Sequence, residues 1–280
     1  MTRLVAVPNV SEGRDEAALD AIGAAFATHA DVLHRSADAD HHRAVFFLAG
    51  APGELHHALA AGAAAAAERI DLRKHDGLHP RVGALDVAPV VYLDDAQRGA
   101  AIAEALLAAD AIGARGIPVF LYGELADGRT RSELRKGGPE GLAARGTPPD
   151  YGPPALHPTA GATLVSARPP LIAFNLELAP PATLEDARAV AAAIRENGTD
   201  GLPGVRALGL HLSRRDVIQV STNIEDHRAV TATDVLEAVQ RHHPVARAEL
   251  VAPAPEAALA GWPADVELRM PGAIEALLGR

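Results

Sequence analysis

The chain contains no cysteine, and aromatic residues make up only 3% of it, with one tryptophan and three tyrosines. Without cysteine, neither a disulfide framework nor a thiolate metal centre can form. So few rings leave no stacking platform for nucleic-acid bases, and a formal net charge of −10 argues against a duplex-binding surface. Long apolar runs are missing too. The richest stretch, residues 58–67, is nearly all alanine, broken by Gly62, and is too short and too weakly hydrophobic to span a bilayer. The first residues, Met1 to Asn9, turn polar too soon for a secretory core, so a cytoplasmic location is expected, with neither membrane nor nucleic acid as partner.

What is present suits a folded enzyme-sized chain. Its 280 residues are 48% hydrophobic, enough for a substantial core and for two domains. The charge is uneven, however. Between residues 71 and 86 runs Asp71-Leu-Arg-Lys-His-Asp-Gly-Leu-His-Pro-Arg-Val-Gly-Ala-Leu-Asp86, which gathers Arg73, Lys74, His75, His79 and Arg81 in an otherwise acidic protein. A local reversal of sign suits the capture of an anionic small molecule. Gly77 and Pro80 oppose a regular helix through the two histidines, and the residue before a proline is biased toward extended backbone. An active-site loop around His79 is therefore expected. His75 and His79 are four apart, but zinc pairing at that spacing requires one helix face and a third ligand, so no metal site is assigned.

Apolar periodicity and turn residues predict strand, helix, strand, strand, helix, strand over residues 3–8, 15–29, 32–33, 44–48, 53–70 and 87–93. A helix over 95–115 and a strand over 118–122 follow, then a Gly-, Pro- and charge-rich segment over 128–151, with a short helix near 132–136, expected to wrap the surface. Residues 152–161, with three prolines, read as a rigid loop. The second half repeats the order: strand 171–178, helix 184–196, hairpin 205–212 with 217–222, helix 233–241 and strand 245–251. The expected fold is α+β, two ferredoxin-like β-α-β-β-α-β subdomains over residues 1–175 and 176–280, with a substrate cleft between their sheets.

Several motifs share one likeness: Val7-Pro-Asn-Val-Ser-Glu-Gly13, the stretch from Arg73 to Asp86, Val119-Phe-Leu-Tyr-Gly-Glu124, residues 152–161 with the following Ala-Thr, and Gln219-Val-Ser-Thr-Asn223. Together they resemble the glutamate formimidoyltransferase family over nearly the whole chain, as the transferase unit without a fused cyclodeaminase. The resemblance implies a homodimer and transfer of a formimino group from N-formimino-L-glutamate to N5 of tetrahydrofolate, the folate serving as co-substrate. It places the catalytic histidine on His79 and the folate-binding stretch on Gly152, Pro153, Pro154, Ala155, Leu156, His157, Pro158, Thr159, Ala160 and Gly161. Histidine titrates near neutrality, so one side chain can take a proton from the attacking amine and return it to the departing nitrogen.

Arg73, Lys74 and Arg81 are candidates to hold substrate carboxylates, arginine being suited to a bidentate grip. Asn9 and Glu12 read equally as site residues or as turn and capping residues. The family commonly has Asn at the position of His42, Asp at that of Ser36, and a tryptophan in the animal folate loop at that of Ala160. Other readings are a formyl transfer or 5-formyltetrahydrofolate cyclisation on the same scaffold, a metal-dependent hydrolase, and a non-catalytic folate-binding protein. No Walker-type glycine loop supports the ATP-dependent cyclisation.

Overall fold

The structure, a computed structural model, describes residues 3–279. The chain divides into two compact units, Met1–Arg168 and Pro169–Arg280, a few residues before the boundary expected near 175. Each unit is built on its own mixed sheet, so the mixed α and β class is as expected.

In the first unit, strand β1 (Leu4–Ala6) is interrupted at Pro8, which cannot donate to the ladder, and resumes as β2 (Asn9–Val10). Helix α1 (Glu16–Phe26) starts where the Asp15 side chain accepts from the Ala18 amide, and buries Leu19, Ile22 and Phe26 at helical spacing. Strands β3 (Asp31–Asp38) and β4 (Arg43–Gly50) form the hairpin; β3 is much longer than residues 32–33 because its polar, partly exposed sequence hides an outer strand. Helix α2 (Leu55–Arg69) and strand β5 (Leu85–Val91) complete the unit's β-α-β-β-α-β order.

Alanine in α2 serves close approach. A Cβ on Gly62 would stand 2.0 Å from the Phe26 ring, which itself meets Phe46 at 5.1 Å between centroids. Helix α3 (Arg98–Gly113), strand β6 (Val119–Leu121), helices α4 (Arg131–Arg135) and α5 (Gly138–Ala144) and strand β7 (Thr163–Arg168) follow. Strand β7, absent from the sequence reading, runs parallel to both β5 and β6, which leaves β5 buried along its whole length and explains its almost continuous apolar sequence. The order across the sheet is β3, β4, the β1–β2 strand, β5, β7, β6.

The second unit comprises β8 (Ile172–Leu178), α6 (Leu184–Ile194), β9 (Val205–Leu212), β10 (Val217–Ile224), α7 (Ala232–Gln240), β11 (Val245–Leu250), β12 (Glu267–Arg269) and α8 (Ile274–Leu278). Helices α6 and α7 open on reciprocal capping boxes, Thr183 with Asp186 and Thr231 with Asp234. The sheet runs β12-β11-β8-β10-β9. Phe174, Leu176 and Leu178 join the apolar cluster beneath the helices, so Asn175 and Glu177 point to the other face. There Asn175 lies opposite Ser221 and Glu177 opposite Gln219. Among the described residues, no helix is long and apolar enough to cross a membrane.

Candidate functional site

The basic stretch folds as expected for a loop. Asp71 caps a single turn over Leu72–Lys74, and residues 75–84 then run without helix into β5. The turn between β3 and β4 lies against it. A Cβ on Gly77 would fall 2.4 Å from the His41 carbonyl, so only glycine lets the two segments approach this closely. His42 holds the turn in a left-handed conformation, φ 49°, which Asn and His both tolerate better than most residues. Its ring stacks on that of His75 at 4.2 Å, and the Glu12 carboxylate, which accepts the amides of Gly13, Arg14 and Asp15, lies 3.3 Å from its Nδ1. Burial pushes His75 down to about 4; its Nδ1 accepts from the Gly77 amide and its Nε2 meets the His42 carbonyl at 2.8 Å.

His79 stands beside His41, their centroids 6.3 Å apart. Its Nδ1 lies 2.7 Å from the Pro80 carbonyl, an atom that can only accept. The neutral ring therefore carries its hydrogen on Nδ1 and its lone pair on Nε2. Crowding by the surrounding protein, then the positive charges of Arg43 and Arg135, hold its pKa well below the ordinary histidine value, while Asp86 pulls in the opposite direction. The imidazole is thus neutral at pH 7 and competent as a base.

Behind this loop lies a fully buried carboxylate, Asp86. It accepts the Val82 amide at 2.8 Å, Arg43 Nη1 at 2.7 Å and Arg135 Nη2. Burial alone would raise the Asp86 pKa, but Arg135 and Arg43 outweigh it and keep the group ionised. Arg43, pushed down to about 10 by its own burial, also donates from Nε to Asn9 Oδ1 at 3.1 Å. Asn9 in turn donates to the Val7 carbonyl, so both ends of its amide serve the scaffold.

The expected site residues are brought together in part. Arg81 donates to the carbonyls of Gly77, His79 and His75, clamping the loop. Arg73 is exposed and forked onto Asp71, whose carboxyl it holds down to about 2; Lys74 is exposed beside it. The loop of residues 152–161 closes on itself through the paired backbone bonds of His157 and Gly161, and it is stitched to the histidine loop's flanks. The Leu72 amide donates to the Thr159 carbonyl and the Ala84 amide to the Ala160 carbonyl. Ala160 is buried in the core. No group of three or more His, Asp or Glu side chains among the described residues could hold a metal ion.

Arg135, and the roles of Asp86 and Arg43, escape sequence reading. For the last two a signal existed: each is a lone charge at the start of an apolar strand, a pattern that implies a buried ion pair. For Arg135 there is none, because it arrives on a short helix inside a segment that reads as surface wrapping.

Comparison with known proteins identifies the family. Residues 3–168 match the formiminotransferase domain, N-terminal subdomain, and residues 173–259 the formiminotransferase domain. Glutamate formimidoyltransferase of Streptococcus pyogenes serotype M1 is 38% identical over 228 residues, covering 78% of this chain and 76% of that protein. The protein of the same name from Thermoplasma acidophilum is 34% identical, covering 81% and 78%. Formimidoyltransferase-cyclodeaminase of Rattus norvegicus is 36% identical over 92% of this chain, which spans about half (51%) of that longer protein. With both domains matched and relatives covered over most of their length, the chain belongs to the formiminotransferase family.

Proposed function

We propose that this protein transfers the formimino group of N-formimino-L-glutamate to N5 of tetrahydrofolate, releasing L-glutamate and 5-formiminotetrahydrofolate. The observation that carries the mechanism is the 2.7 Å approach of His79 Nδ1 to the Pro80 carbonyl, which assigns the ring hydrogen to Nδ1. The Nε2 lone pair takes the proton from N5 as that nitrogen attacks the amidine carbon. The tetrahedral intermediate then collapses: the bond from the amidine carbon to the glutamate nitrogen breaks, and the imidazolium returns its proton to that nitrogen. Depression of the His79 pKa keeps the resting ring in the base form.

The loop of residues 152–161 binds the folate, its backbone already ordered by internal hydrogen bonds so that little entropy is lost on binding. Arg73 and Lys74, both exposed, attract the folate-tail carboxylates; Arg81, Asn9 and Glu12 shape the site by holding the segments around His79. Ferredoxin-like folding of both units is supported by their shared β-α-β-β-α-β order, and we extend the reading to a cytoplasmic homodimer. The test is transfer from N-formimino-L-glutamate to tetrahydrofolate by wild type and His79→Ala. Loss of general acid–base help is expected to cost about 10²–10⁴-fold in kcat with the fold intact by circular dichroism. In wild type the acid limb of kcat/KM is expected below pH 6.5, because a lowered pKa leaves the base unprotonated further into acid. Transfer by His79→Ala at the wild-type rate would rule this mechanism out.

A further inference from the structure

The arginines around the His79 loop differ in what their N–H groups still have to give. A guanidinium carries five donors and no acceptor. Arg81 donates to three loop carbonyls, Arg73 is forked onto Asp71, and Arg14 is held by the Ala39 carbonyl and Asp76. Arg43 divides itself between Asn9 and Asp86. Arg135 is different. Its side chain is only 10% exposed, its one hydrogen bond among the described residues runs from Nη2 to Asp86, and its Nε is buried with no acceptor. Buried donors are normally matched, so the orphaned Nε of this guanidinium marks a place for an acceptor from outside the chain.

Its position is enforced from several sides. Helix α4 starts on a reciprocal capping box, Thr130 with Glu133, and Arg145 donates to the Leu134 and Lys136 carbonyls at its other end. Leu134 and Leu142 join an apolar cluster with Val82, three residues beyond His79 in the loop. The charge count points the same way. Two guanidiniums meet one carboxylate at Asp86, which leaves one uncompensated positive charge in a buried place. An anion supplied by the substrate would balance it.

Building on the formimino-transfer reading, we propose that Arg135 binds a carboxylate of the amino-acid donor, with Asp86 as the residue that positions it. Planar two-point contact with a carboxylate is the geometry a guanidinium offers and an ammonium does not. Both substrates must meet His79, but only the donor carries a carboxylate two bonds from its reacting nitrogen, whereas the folate carboxylates lie far from N5 on the tail.

The test compares wild type, Arg135→Met and Arg135→Lys in the transfer assay, varying each substrate in turn. A rise of about tenfold or more in KM for N-formimino-L-glutamate is expected in Arg135→Met and a smaller one in Arg135→Lys, with KM for tetrahydrofolate changed less than about twofold. An unchanged donor KM, or equal loss toward both substrates, would overturn the assignment and leave Arg135 as a counter-ion of Asp86. If Arg135→Met does not fold, Arg135→Lys decides, since it keeps the charge facing Asp86 and loses only the fork. Should wild type transfer no formimino group, the functional reading fails. Calorimetric titration with L-glutamate still tests Arg135, where binding of equal strength to wild type and Arg135→Lys counts against it.

Discussion

The two units follow the same succession of elements, and each buries a carboxylate between two arginines, yet what lies beside that carboxylate differs. In the first, the buried carboxylate of Asp86 is fully partnered, by an amide and two guanidiniums, and the His79 imidazole is near enough to feel its charge. In the second, the buried amide of Gln219 has no hydrogen-bond partner at either atom among the described residues, and Asn175 Oδ1 has none. Glu177, next to Gln219 across the strands, is held by Arg247. A shared topology fixes where strands and helices go, and the side chains placed on it decide whether a buried carboxylate has a titratable ring or unpartnered amides for neighbours.

This contrast can be broken by substitution. Asp86→Asn is expected to have the largest effect, about 3–5 kcal/mol of lost stability in chemical denaturation, because it leaves Arg43 and Arg135 buried without their counter-charge. An unmoved denaturation midpoint would make the network of the first unit as dispensable as a lone amide. Gln219→Met tests the other side. Removing an unpartnered buried amide in favour of an apolar chain of similar size should stabilise the protein by up to about 2 kcal/mol. Destabilisation on that scale would mean the amide has a partner the fold depends on.

A smaller effect concerns pH. His75 is held near 4 in the folded protein, below the ordinary histidine value of 6.5. Between these values the unfolded chain binds a proton that the folded one refuses, so stability falls as pH drops from 6.5 toward 4. His75→Gln is expected to flatten the thermal midpoint across that window by the share of about one proton, and an unchanged slope would assign the drift to other groups.

Legibility followed locality. The helices with apolar stripes and the strands with apolar runs were readable to within a few residues, as was the loop character of residues 75–84. Strand β7 was not, because Thr163–Arg168 is short, follows a proline-rich loop and owes its strand character to parallel neighbours on either side. Helix α5 was hidden by its glycines, although Pro139 in its first turn was an available starting signal. The rest of the candidate site depended on contacts that no local pattern encodes. Nothing near residue 135 announces a carboxylate 49 positions away.

That separation bears on how the protein acquires activity. Asp86 meets partners 43 and 49 residues distant on either side of it, so its ion network closes two long loops at once. Loop closure is slow to be rewarded when contacts are far apart in sequence. The His79 loop is therefore expected to mature late in refolding, after the sheet has formed and the arm carrying helix α4 has docked. Recovery of transfer activity should trail the return of far-ultraviolet circular dichroism; simultaneous recovery would place this network in the folding nucleus instead.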